Sequence, residues 1–139
     1  MLKHLRVLVV DDDAEILEML AEFLRSRDHD VVTRPNGREG LIALRDDEFD
    51  LVISDIKMVG LNGFEFLKAA RASYPDIGMV LMTAYEDEYP LSEALRAGAD
   101  GYISKPFTLS KFSLIFERAY WKAISRQDWW EHHAVEASG

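Results

Sequence analysis

Asp50-Leu51-Val52-Ile53-Ser54-Asp55 is the stretch on which the reading of this chain turns. Its apolar middle is short and β-branched, as in a buried strand. It closes on a carboxylate, and Lys57, Gly60, Asn62 and Gly63 follow in a turn-rich loop. In a parallel sheet flanked by helices, the carboxyl ends of the strands are where ligands bind. Asp55 alone is more simply read as a polar residue leaving a core strand. The sharper reading depends on what else the chain delivers to the same edge.

Outward from Asp55 the elements alternate. Leu5 to Val10 reads as a central strand, and Asp11, Asp12 and Asp13 follow it at once. Ile16, Leu17, Leu20 and Leu24 then recur at helical spacing through about Arg27. Asp13 suits the cap of that helix, since its carboxylate can accept from amides of the first turn. Val31-Val32-Thr33 makes a second strand, and Pro35-Asn36-Gly37 turns into a helix carrying Leu41 and Leu44. Beyond Asp55, Phe64, Leu67 and Ala70 mark a third helix, stopped at Tyr74-Pro75 because a residue before proline disfavours the helical region. Ile77 to Met82 is a fourth strand with Thr83 at its end. Pro90 opens a short helix that Gly98 closes. Gly101 to Ser104 forms a fifth strand ending in Lys105-Pro106-Phe107. Thr108 can cap a last helix in which Phe112, Ile115, Phe116 and Ala119 share a face. Five strands alternating with five helices predict an α/β fold, an open parallel sheet covered on both sides. Right-handed crossovers put all the strand carboxyl ends on one edge, and the expected strand order is 2-1-3-4-5.

Composition narrows the class. The 139 residues fit one domain with a real core, at 48% hydrophobic and 29% charged. Sixteen basic against 25 acidic residues leave a formal charge of -9, which argues against a phosphate-neutralising nucleic-acid surface in this segment. There is no cysteine, hence neither disulfide nor thiolate chemistry. The start Met1-Leu2-Lys3-His4 enters a strand rather than a signal peptide, and no apolar run reaches bilayer-spanning length. The expectation is a cytoplasmic protein with no membrane partner. Residues 1–124 are expected to form one domain and 125–139 a C-terminal tail without an assigned function.

The predicted sheet edge collects Asp11 and Asp12 from strand 1, Asp55 from strand 3, Thr83 from strand 4 and Lys105 from strand 5. Strands 1 and 3 are expected neighbours, so their carboxylates crowd. Two unit charges about 4 Å apart repel by roughly 4 kcal/mol at an effective dielectric near 20. A divalent cation relieves that repulsion, and an all-oxygen, water-rich site favours magnesium. Adding the Lys105 ammonium and the Thr83 hydroxyl makes a site suited to a phosphoryl group. Asp55, the most central carboxylate, is then the nucleophile.

The segments VLVVDDD, LVISDIKM, VLMTA and GADGYISKPF, in this order and spacing, resemble the receiver domain of bacterial two-component response regulators over about residues 4 to 122. The resemblance implies a flavodoxin-like doubly wound (βα)5 fold and a phosphoacceptor switch rather than an enzyme, one that takes part in its own phosphorylation and dephosphorylation. It implies that Asp55 accepts a phosphoryl group from a sensor histidine kinase or phosphotransfer protein. Asp12 and Asp55 would bind Mg2+ directly, Asp11 largely through water, and Lys57 through its backbone carbonyl. Thr83 and Lys105 would contact phosphoryl oxygens, and Thr83 and Tyr102 would carry the switch to the face of helix 4, strand 5 and helix 5. That face would serve an output domain, a partner or a homodimer. Lys57 and Tyr85 fall where the family tunes the lifetime of the adduct, and the Lys105-Pro106 bond is implied to be cis.

The chain departs from the family at Val59, where proline is usual; losing that restriction costs about 1 kcal/mol or less. Two other functions compete. An aspartate-nucleophile phosphatase would carry an acid two residues after the nucleophile, where this chain has Lys57. A phosphorylation-independent binding module would lack Asp55, Lys105 or one of the acidic pair, and all are present. His132-His133 reads as a solvated pair, and Glu86-Asp87-Glu88 as a solvated acidic loop. Trp121, Trp129 and Trp130 beside Tyr120 suit either an interface or packing on the last helix.

Overall fold

The computed structural model describes residues 4–138, with side chains described through Arg126. Among the described residues the chain forms β1 (Arg6–Val10), α1 (Ala14–Arg25), β2 (Asp30–Arg34), α2 (Gly37–Asp46) and β3 (Leu51–Asp55). It continues through α3 (Gly63–Ser73), β4 (Gly78–Thr83), α4 (Leu91–Arg96), β5 (Gly101–Ser104) and α5 (Leu109–Ser138). The sheet is parallel throughout, in the order β2-β1-β3-β4-β5, as expected. Every strand therefore ends on the same edge, and the register pairs Val10 with Ser54 and Asp55 with Met82.

Strand alternation divides the interior into two layers. Val7, Val9, Ile53, Val80 and Met82 face α1 and α5, where they meet Leu20, Leu24, Phe112 and Phe116. Leu8, Val10, Val52, Met79 and Leu81 face the other side, against Phe66, Leu67, Ala70 and Ala94. Burial on both faces explains why these strands read as continuous apolar runs rather than alternating ones. Helix starts follow local chemistry. Asp13 accepts from the Glu15 amide over 2.9 Å at the head of α1. Asn36 accepts from Glu39 at α2, and Asn62 and Glu65 form a reciprocal capping box at α3. Thr108 accepts from the Lys111 amide at 3.1 Å ahead of α5. Gly98, with a φ of +91°, lets the chain leave α4 towards β5.

One difference from the sequence reading stands out. Helix α1 ends at Arg25, two residues early, because Asp28 takes a positive φ and the chain turns into β2. The last helix runs through Ser138. Its passage along the pole opposite the strand carboxyl ends is secured by buried Asp100. That carboxylate accepts from Arg71 of α3 at 2.9 Å, from the Met79 amide at 3.0 Å and from Arg126 of α5 at 2.8 Å. Arg126 also donates to the carbonyls of Asp76 and Ile77. Trp121 is half exposed and meets Tyr120 edge-on; the side chains of Trp129, Trp130, His132 and His133 lie outside the described residues. No helix among the described residues is long and apolar enough to cross a membrane.

His29 gives the fold a pH dependence. It is buried against Phe116, and its Nδ1 accepts from the Leu5 amide at 3.0 Å, which requires that nitrogen to be unprotonated. Burial lowers its pKa from 6.5, helped by nearby His4. The folded state therefore binds fewer protons than the unfolded one. This contribution is complete above pH 6.5 and is lost as pH falls from there through the lowered value. His29→Asn keeps an acceptor for the Leu5 amide and does not titrate. Urea unfolding from pH 7.5 to 5 should show a shallower loss of stability in the variant than in the wild type; parallel curves would remove His29 from this role.

Candidate functional site: the acidic edge of the sheet

Each candidate residue reaches the common edge by a different strand. Asp11 directly follows β1 and is fully buried, whereas Asp12 beside it is exposed. Asp55 closes β3 at 7% exposure, Thr83 closes β4 in full burial, and Lys105 follows β5 half-buried. Carboxylate oxygens of Asp11, Asp12 and Asp55 lie within 4.8 Å of one another. Lys105 Nζ donates to Asp11 Oδ2 at 2.8 Å and stands 3.3 Å from Asp55 Oδ1. The Asp13 amide donates to Asp11 Oδ1, and the Ile56 amide to Asp55 Oδ1 at 3.1 Å. The Lys105-Pro106 peptide bond is cis.

The electrostatics follow from this crowding. Burial, then the charge of Asp11, pushes Asp55 up to about 6, against the pull of Lys105. Burial also raises Asp11, although its hydrogen bond with Lys105 opposes the shift. Burial alone would lower Lys105, but the hydrogen bond and charge of Asp11, with the charge of Asp55, outweigh it and hold the ammonium protonated. Among the described residues, one cation thus faces three acids. The donor set is all oxygen, partly open through Asp12, and a hard divalent cation fits it.

Around the mouth, the Tyr85 amide donates to Thr83 Oγ1 at 2.9 Å, leaving the hydroxyl proton available to another acceptor. Tyr102 is half-buried and its hydroxyl donates to the Tyr89 carbonyl at 2.7 Å. Lys57 Nζ does not reach into the acidic group. It lies 4.3 Å from the centre of the Tyr85 ring and 3.4 Å from Glu88 Oε2. Two residues of the site escaped the sequence reading. Glu88 looked like one of three solvated acids, and nothing in the sequence connects it to Lys57. Gly63 looked like loop punctuation. A Cβ there would stand 2.6 Å from the Asp55 carbonyl oxygen, so only glycine lets α3 begin directly against the strand that carries Asp55.

The response regulator receiver domain model matches residues 7–116. The chain belongs to that family. Among its relatives, the Transcriptional regulatory protein ZraR of Klebsiella oxytoca is 37% identical over 113 residues, 81% of this chain and 26% of that protein. The DNA-binding response regulator MtrA of Mycobacterium tuberculosis is 39% identical over 102 residues, 73% of this chain and 44% of that protein. The chain therefore spans less than half the length of these relatives. Among solved structures, the chemotaxis protein CheY4 of Vibrio cholerae superposes with a TM-score of 0.78 at 31% identity, covering 84% of this chain and 99% of that one. The response regulator TrrA of Thermotoga maritima, solved in complex with Mg(2+)-BeF, gives 0.74 at 33% identity, covering 82% and 97%. Receiver domains of this family are signalling switches, and the acidic group of this chain has the composition such a domain uses to hold a metal ion.

The raised Asp55 pKa has a stability consequence of known sign. A folded value near 6 against an ordinary 3.8 means that ionising Asp55 opposes folding. The penalty is absent below pH 3.8, grows as pH rises and is complete above about pH 6. Without divalent cation, Asp55→Asn should be more stable than wild type at pH 8 by about 1–3 kcal/mol, and the gain should vanish near pH 3.5. Chemical denaturation at the two pH values measures it; a gain independent of pH would contradict this origin.

Proposed function

We propose that this receiver is a phosphoacceptor switch: Asp55 takes a phosphoryl group from a sensor histidine kinase or a phosphotransfer protein, with Mg2+ bound beside it. The observation that carries this reading is the convergence of three carboxylates, a protonated lysine and a threonine hydroxyl on one strand edge around Asp55. In the transfer, an Asp55 carboxylate oxygen forms a bond to phosphorus as the phosphorus–nitrogen bond of the donor histidine breaks. The bonding pair stays on that nitrogen. Asp12 and Asp55 would hold the metal directly, Asp11 largely through water, and the Lys57 carbonyl would complete the protein donors. The ion supplies charge neutralisation of carboxylates and phosphoryl oxygens. Lowering the Asp55 pKa from near 6 in this way keeps the nucleophile ionised.

Lys105, already paired with Asp55, donates to a phosphoryl oxygen, and Thr83 turns its hydroxyl proton to another. The new group carries close to two negative charges, and charge-assisted hydrogen bonds contribute roughly 1.5–3 kcal/mol each. Two or three are of the order needed to invert a two-state equilibrium, about 5.5 kcal/mol from 1:99 to 99:1. Drawing Thr83 inward pulls on Tyr85 and the loop whose Tyr89 carbonyl holds Tyr102. The change then reaches the face of α4, β5 and α5, where Leu91 and Leu95 are half exposed. That face would meet an output domain, a partner or a second copy of the chain. Residues 1–124 act as the receiver and 125–139 form a C-terminal tail without an assigned function, whose residues 125–138 continue the last helix. The setting is cytoplasmic, and the charge of -9 leaves nucleic-acid contact to other segments or proteins.

Exposure to acetyl phosphate and Mg2+ should add one phosphoryl mass to the wild type and none to Asp55→Asn, read by intact-mass spectrometry. An equal adduct on the variant would dismiss Asp55 as acceptor. In calorimetric titration, Asp12→Ala should lose Mg2+ affinity by at least the roughly tenfold associated with losing even an outer-shell partner. Unchanged affinity would reject the proposed ligand set.

A further inference from the structure

We infer that Glu88 is a positioning residue for the phosphorylated state: it competes with the phosphoryl group for the Lys57 ammonium and so sets how far that ammonium shields the adduct. The inference rests on the phosphoacceptor reading of Asp55 and adds to it a regulator that no motif marks.

Lys57 lies in the loop after β3 and Glu88 in the loop between β4 and α4, so their pair spans the mouth of the acidic edge. The ammonium is 3.4 Å from Glu88 Oε2 and 4.3 Å from the centre of the Tyr85 ring, with the Lys57 and Glu88 side chains 49% and 52% exposed. The same loop holds the Thr83 hydroxyl through the Tyr85 amide and the Tyr102 hydroxyl through the Tyr89 carbonyl. Lys57 thus links the β3 side of the mouth to the loop that also restrains both switch residues.

A half-exposed pair of this kind is weak, so it divides the ammonium between partners rather than locking it. A phosphoryl group on Asp55, with close to two charges against the single charge of Glu88, draws the ammonium towards itself. Once there, the lysine stem obstructs the in-line approach of water, and its charge stabilises the adduct. In the reaction it delays, a water oxygen bonds to phosphorus as the phosphorus–oxygen bond to Asp55 breaks. The electron pair returns to the carboxylate, a water proton passes to solvent, and inorganic phosphate leaves. In-line attack tolerates little misplacement, so even partial occupancy by Lys57 slows it. Removing the negative charge of Glu88 releases more of the ammonium to the phosphoryl group.

The test uses the whole chain, phosphorylated with acetyl phosphate and saturating Mg2+, freed of donor and followed by intact mass. Glu88→Gln should lengthen the half-life of the adduct about two- to five-fold, while Glu88→Asp should stay near wild type. Lys57→Ala should shorten it. The double variant should decay like Lys57→Ala alone, because Glu88 acts only through that lysine. Equal half-lives in wild type and Glu88→Gln overturn the inference, as does a Glu88→Gln effect that survives in the Lys57→Ala background. Slower decay in Lys57→Ala overturns it too, since the lysine would then assist hydrolysis. These outcomes leave the phosphoacceptor reading intact. Failure of the wild type to form any adduct refutes that reading and the role of Glu88 with it.

Discussion

Lys105 donates to Asp11 and stands within ion-pairing distance of Asp55, and the acidic edge of the sheet depends on that contact. Burial favours the neutral forms of all three groups, and mutual repulsion works further against the carboxylates. A single ammonium cannot neutralise three acids. Asp55 consequently remains pushed up to about 6 with Lys105 in place. The protein thus maintains a local excess of negative charge in a partly dry setting, which a divalent cation would offset.

That arrangement ties architecture to chemistry. Parallel pairing in the order β2-β1-β3-β4-β5 is what brings the ends of β1 and β3 side by side and delivers Thr83 and Lys105 from the next two strands. Gly63 permits α3 to start against the Asp55 backbone, and the Asn62 and Glu65 capping box fixes where it starts. At the far pole Asp100 gathers Arg71 and Arg126, so α5 stays bound to the sheet at Arg126, ten residues past the end of the family match. A displacement at the acidic edge therefore acts on a body whose opposite end is held.

The loop between β4 and α4 is the softer part. Its contacts with the rest of the molecule include one backbone amide to Thr83, one carbonyl to Tyr102, a half-exposed ion pair to Lys57 and the Tyr89 ring against Phe64. Each is individually weak, and together they connect the site to the α4 face. A segment held in this way can shift for a few kcal/mol without disturbing the buried strands.

Much of this was legible in the sequence, for a physical reason. Strands buried on both faces need continuous apolar runs, and helices announce themselves through caps and periodic leucines. Asp13, Asn36 and Thr108 mark helix starts where the sequence places them, and the carboxylates, Thr83 and Lys105 stand immediately beyond apolar runs. The strand order and the meeting of Asp11, Asp12 and Asp55 follow from the alternation and handedness of the chain. Other features arise only when distant segments come together. The Lys57–Glu88 pair joins residues 31 positions apart, and the Asp100 clasp joins three elements. The extension of α5 through Ser138 was hidden because the segment after residue 124 is polar. Exposed polar side chains such as Lys57 and Glu88 carry no burial pattern, so their pairing cannot be read before the surfaces they meet are in place.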